Sequence, residues 1–182
     1  MWPTENSSAI HYRVRVGARS SANIRWAATL SQSCSRNGGK IVNAKTPSWL
    51  DSSAILTLLR GEPGAGKVGE LLEKAERGEL AVLVSAVSLT EVVSAVARLH
   101  GEETARDDLR LLLEMPVQFK PPTTDECVAA GWLRARHKLS TADAIITAQA
   151  IAAGAELIHK DPKLEPVAGV KQRRLPYKPS KR

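Results

Sequence analysis

Cysteine is scarce in this chain, two residues among 182, and Cys34 and Cys127 share neither a C-x-x-C spacing nor a histidine at a zinc-binding interval. That argues against a disulfide framework or a structural zinc, and for a reducing compartment. No apolar run approaches the length of a membrane span, and the N-terminus has no apolar core of a secretory signal. The expected location is the cytoplasm, with no membrane partner. Internal repeats and low-complexity segments are also missing.

What the chain does have is charge, unevenly placed. The formal net charge of +7 suggests a polyanion partner, but the excess lies at the ends. Residues 1–41 hold six Lys/Arg against one acid, residues 170–182 hold six against none, and the body between them has 14 basic and 18 acidic residues. The body is mildly acidic and carries a basic C-terminal tail. Its length suits one domain with a sizeable core.

Residues 1–41 show no sustained apolar period; Arg, Ser, Ala and Asn dominate, with Trp2 and Trp26 isolated. Such a stretch buries too little to order itself. Asn37-Gly38-Gly39-Lys40 is also compatible with a purine-rich ribosome-binding sequence, and Val42 with a GTG start. The expected division is therefore a disordered or non-native extension over 1–41 and a folded domain over 42–182.

From Pro47 onward the pattern is regular. The sequence predicts a strand near Ser48–Leu50, helices over Ser53–Arg60 and Ala65–Arg77, and an apolar strand over Leu80–Val84. Helices over Ser88–His100 and Glu102–Glu114 follow, then a strand at Val117–Lys120. Helices over Thr124–Leu139 and Ser140–Ala153 lead to strands at Ala155–His159 and Val170–Leu175. Strands alternating with helices predict a parallel sheet covered on both faces.

One apparent motif fails. Gly61-Glu62-Pro63-Gly64-Ala65-Gly66-Lys67 fits the phosphate-cradling G-x-x-x-x-G-K loop, but Val68 stands where a magnesium-ligating hydroxyl is required. The segment also follows a helix instead of a strand, so it reads as a helix-to-helix turn.

Acids carry the chemistry that remains. Asp51 ends the first strand, where open α/β sheets place their ligands. Glu91 and Asp143 each stand at the expected third position of a helix, and Asp161 follows the Ala155–His159 strand. Each also suits a local role: Asp51 an N-cap, Glu91 and Asp143 a capping box, Asp161 a turn before Pro162. Gathered at one sheet edge, however, such carboxylates raise one another's pKa and call for a counter-charge. Oxygen ligands of this kind suit Mg²⁺ or Mn²⁺, and such an ion supports hydrolysis of phosphodiesters. Ser53 and Thr141 are placed to orient a carboxylate or a water, or serve as ordinary first-turn residues.

These segments resemble the PIN-domain family, and more narrowly the VapC ribonuclease toxins of bacterial type II toxin–antitoxin systems. The likeness is carried by Leu50-Asp51-Ser52-Ser53-Ala54-Ile55-Leu56 with Glu62-Pro63-Gly64, and by Ser85-Ala86-Val87-Ser88-Leu89-Thr90-Glu91-Val92. Leu139-Ser140-Thr141-Ala142-Asp143-Ala144 with Ala148 and Ala150 follows, and then Asp161; together they span roughly Ser48 to Tyr177. The fourth motif departs from the family's Thr-x-Asp-aromatic pattern, reading His159-Lys160-Asp161-Pro162, and the N-terminal extension is foreign to the family. The resemblance implies a three-layer, Rossmann-like α/β/α sandwich with a mostly parallel sheet. It further implies a Mg²⁺- or Mn²⁺-dependent endoribonuclease that forms a homodimer and is inhibited by a cognate antitoxin. The implied catalytic and metal-site acids are Asp51, Glu91, Asp143 and Asp161. Alternatives on the same fold are a maturation or DNA-processing nuclease without antitoxin, and a non-catalytic binding module.

RNA-binding candidates are basic. Arg134, Arg136 and Lys138 precede the Asp143 helix, and Lys171, Arg173, Arg174, Lys178, Lys181 and Arg182 form the tail. His137 and His159 read as surface or core residues more readily than as bases, and Trp132 as packing, in the core or at a dimer contact.

Overall fold

The computed structural model describes residues 46–177. The expectations for residues 1–41, Val42 as initiator, Cys34, Lys178, Lys181 and Arg182 lie outside the described residues.

The sheet grows from a three-residue strand, β1 (Ser48–Leu50), all of it buried. Asp51 stops the strand and caps α1 (Ser52–Leu59). The Glu62-Pro63-Gly64 turn leads into α2 (Ala65–Glu76), with Gly64 at a φ of 103° as its N-cap. That left-handed backbone needs glycine, and a Cβ there would come within 3.0 Å of Pro176 Cδ. Gly61 to Gly64 thus form the inter-helix turn expected, and Ala65 to Lys67 already belong to α2.

Next come β2 (Val82–Ser85), α3 (Ala86–His100), α4 (Glu102–Glu114) and β3 (Gln118–Lys120). The pair α5 (Thr124–Arg136) and α6 (Thr141–Ala152) precedes β4 (Glu156–His159), a short 3₁₀ turn over Pro162–Leu164, and β5 (Lys171–Arg174). The strands run in the order β3-β2-β1-β4-β5, and each neighbouring pair is parallel.

Each strand's alternation divides the core. Leu50, Val82, Val84 and Ile158 face α1, α2, α3 and α4, where they join Ile55, Val68, Leu72, Val96 and Leu112. Trp49, Leu83 and Leu157 point the other way, joining Ala130, Ala144, Ile146 and Ala148 of α5 and α6. The result is the three-layer α/β/α sandwich expected, and among the described residues no helix is long and apolar enough to cross a membrane.

One local expectation is corrected. The helix over Ser88–His100 begins two residues earlier, because Ser85, the last residue of β2, is itself the N-cap: its Oγ accepts from Val87 N–H at 3.2 Å. With no loop between strand and helix, Glu91 is the sixth helical residue, not the third. It therefore has no capping-box role.

Candidate active site at the carboxyl edge of the sheet

After β1 the chain moves outward to β2 and β3, then returns to the opposite side of β1 with β4. The direction of travel reverses between β1 and β4, and ligands of open α/β sheets bind outside the carboxyl ends of the strands at such a point. Asp51 stands there. Its backbone N–H donates to Ile158 O at 3.0 Å, which ties the end of β1 to β4.

The Asp51 side chain is 2% exposed. Its Oδ2 accepts from Ser53 N–H at 3.1 Å and from Ser53 Oγ–H at 2.5 Å, and the Ser52 hydroxyl approaches Oδ1 at 3.4 Å. The cap expected of Asp51 is thus real, and it coexists with burial at the ligand edge. Burial pushes the Asp51 carboxyl above its ordinary pKa; the Ser53 hydrogen bonds oppose this, and the charge of Asp143 adds to the rise.

Glu91 is half-buried on α3. Burial raises its pKa, a hydrogen bond from Ser52 lowers it, and the charges of Asp51 and Asp143 raise it again. Glu91 Oε2 is buried and has no hydrogen-bond partner among the described residues. Asp143, at the third position of α6, completes the expected capping box: Ser140 Oγ accepts from Asp143 N–H at 3.0 Å, and Asp143 Oδ2 accepts from Ser140 N–H at 3.3 Å. Thr141 is exposed at the first position of that helix.

Asp161 lies beyond β4 on the same edge, where its Oδ1 accepts from Lys163 N–H at 2.9 Å and caps the 3₁₀ turn. Its neighbour Lys160 is the link to the other acids. Lys160 N–H donates to Ser53 Oγ at 2.9 Å, the hydroxyl that binds Asp51.

Among the described residues, no group of three His, Cys, Asp or Glu side chains stands ready to hold a metal ion. The donor set nonetheless fits a divalent cation. The charge of Asp143 reaches Asp51 and Glu91, and that of Asp51 reaches Glu91, and a buried carboxylate oxygen without a donor, as at Glu91, is costly unless something positive meets it.

The basic candidates are scattered. Arg134, Arg136 and Lys138 are exposed; Arg134 Nε donates to Leu139 O at 3.4 Å, bracing the α5–α6 connection. Lys171 opens β5, at the far end of the sheet from the acids, and Arg173 pairs with Glu156 at 2.8 Å. Arg174 ends β5 on the acid edge, paired with Glu165 at 2.6 Å and lying over the Tyr177 ring at 4.4 Å. His159 is fully buried, its Nε2 within 3.0 Å of Gln172 Oε1, so it is a core residue. Trp132 is 64% exposed, which rejects the core alternative.

Sequence reading missed Ser52, Lys160 and Glu62. Lys160 Nζ donates to Glu62 Oε2 at 2.8 Å across 98 residues, and the only clue in the sequence was a lysine directly after a strand that ends at the ligand edge.

A family model described as the PIN domain matches residues 49–170. No curated protein matches the chain in sequence. Among solved structures, the VapBC2 complex of Rickettsia felis, bound to a DNA fragment from its promoter, superposes with a TM-score of 0.60 at 16% identity, covering 71% of this chain and 98% of that one. VapBC-1 of nontypeable Haemophilus influenzae gives 0.56 at 19% identity, covering 70% and 96%. VapC20 of Mycobacterium tuberculosis, a toxin that cleaves the sarcin-ricin loop, gives 0.53 at 20% identity, covering 68% and 96%. At these identities the likeness is one of fold.

Proposed function

The chain belongs to the PIN-domain family, and on that premise we propose that it is a Mg²⁺- or Mn²⁺-dependent endoribonuclease, the toxin of a VapC-type toxin–antitoxin pair. The observation that supports this reading is the buried Asp51 carboxyl at the β1/β4 reversal, within the electrostatic reach of Asp143 and itself reaching Glu91, whose buried Oε2 has no hydrogen-bond partner among the described residues. Asp51, Glu91 and Asp143, with Asp161 beside them, are the residues that would hold the metal, directly or through water. When bound, such an ion acidifies a water and offsets the charge that builds on a phosphate under in-line attack.

The chain's own groups set that reaction up. Ser53 fixes the Asp51 carboxylate with two hydrogen bonds, and Ser140 fixes Asp143 by the capping box. Burial raises the pKa of both Asp51 and Glu91, and a cation bound beside them would offset that cost of ionisation. Among the described basic residues, Arg174 alone combines a strand-end position on the acid edge with a guanidinium, and it is the first phosphate contact we assign. Arg134, Arg136, Lys138, Lys171 and Arg173 are further contacts for the RNA backbone. Hydrolysis leaves 5′-phosphate and 3′-hydroxyl ends.

One of the solved neighbours, from Klebsiella pneumoniae, is a toxin–antitoxin complex, which supports a cognate antitoxin as the protein partner here. Homodimerisation in the cytoplasm completes the reading, with exposed Trp132 a natural contact residue.

The test is the purified full-length chain incubated with total RNA in Mg²⁺ or Mn²⁺, with and without EDTA, and the cut ends mapped by sequencing. Discrete fragments with 5′-phosphates that vanish in EDTA are expected. Cleavage that persists in EDTA overturns the metal-dependent reading, and intact RNA at saturating Mn²⁺ points to the non-catalytic alternative.

A further inference from the structure

We propose that Lys160 and Glu62 form a positioning latch that holds Ser53, and through it the Asp51 carboxylate, in the orientation that takes the metal ion. The inference rests on the metal site proposed at Asp51.

A serine hydroxyl has one hydrogen to give and lone pairs to receive. Ser53 Oγ gives its hydrogen to Asp51 Oδ2 at 2.5 Å and receives the backbone N–H of Lys160 at 2.9 Å. The Lys160 amide, coming from a segment 107 residues away, therefore fixes which way the Ser53 hydroxyl points. If the chain after β4 shifts, Ser53 loses its donor and Asp51 loses its fixed partner.

What keeps that segment in place is the Lys160 side chain. It runs back along α1 to the α1–α2 turn, where Nζ reaches Glu62 Oε2 at 2.8 Å, Thr57 Oγ1 at 3.5 Å and Pro63 O at 3.5 Å. The turn is itself braced, with Glu62 N–H on Thr57 O and Ala65 N–H on Glu62 O, both at 2.9 Å. An exposed ion pair in this position would matter little. This one is 11% and 19% exposed on its two sides, so removing Glu62 leaves the Lys160 ammonium, where water reaches it poorly, with Thr57 Oγ1 and Pro63 O at 3.5 Å. The latch also sets the chain position of Asp161, the next residue. Lys160 and Glu62 thus act on the reaction only through other groups.

The experiment is calorimetric titration of Mn²⁺ into the full-length wild type and the variants K160M, K160R, E62Q and D51N, each checked for folding by circular dichroism. Removing groups that orient metal ligands lowers metal affinity by about 10- to 100-fold. That loss is expected in K160M, a smaller one in E62Q, and recovery of most of the affinity in K160R. Cleavage by K160M should approach the wild-type rate as Mn²⁺ saturates, a split that general loss of structure does not produce. Wild-type Mn²⁺ affinity in folded K160M and E62Q, alongside lost binding in D51N, overturns the latch and leaves the metal site standing. Wild-type affinity in D51N overturns both.

Discussion

Asp51→Asn lowers RNA cleavage by about a thousand-fold or more, yet in EDTA the variant melts at a higher temperature than the wild type. The first effect follows from losing a charged oxygen donor at the centre of the site. Metal stabilisation of developing charge is worth several kcal/mol, and about 4 kcal/mol corresponds to roughly a thousand-fold in rate. The second follows from burial. Asp51 is 2% exposed and its carboxyl is held above the ordinary carboxylate pKa by burial first, then by Asp143. A carboxyl whose folded pKa exceeds its unfolded one binds its proton more tightly in the fold. The metal-free protein therefore loses stability as pH rises from the ordinary carboxylate range through that raised pKa. Asparagine removes this cost and is still a good N-cap, so α1 survives. Relief of such functional strain commonly returns about 0.5–2 kcal/mol. Cleavage assays in Mn²⁺ and thermal melts in EDTA, run at neutral pH, check the two halves; a variant that cuts as fast as wild type removes Asp51 from the site.

Ile158→Ala destabilises the fold by about 2–5 kcal/mol, the range for emptying a fully buried isoleucine position. Ile158 is 0% exposed in β4, packs in one cluster with Leu50 and Leu175, and offers its carbonyl to Asp51 N–H at 3.0 Å. A cavity there loosens the junction of β1 and β4 at which Asp51 stands. Ile151→Ala on α6, at a position 37% exposed, is the matched control and should shift a urea midpoint far less.

The alternation of apolar runs with helical periods made the sandwich legible, because a strand covered on both faces has no polar side. That same feature hid which core each residue joins: nothing in Trp49-Leu50 says that the tryptophan faces α5 and α6 while the leucine faces α1 and α3. The caps of Asp51 and Asp143 are legible because each stands where an apolar helical period begins. Glu91 was identified with the wrong local role, because a strand whose last residue caps the next helix leaves no loop to mark the boundary. Trp132 was read as core or contact, and only tertiary packing decides between a buried and an exposed tryptophan. Lys160 and Glu62 were unreadable for a different reason. An ion pair spanning 98 residues follows from the topology that sets β4 beside β1, and no local pattern encodes it.

The most direct measurement is anomalous diffraction from a crystal of this chain soaked in Mn²⁺. The account requires an anomalous peak at the carboxyl edge of the sheet, in contact with Asp51 and at least one of Glu91 and Asp143. A peak held by other residues, or none at Mn²⁺ concentrations that saturate cleavage, would contradict it.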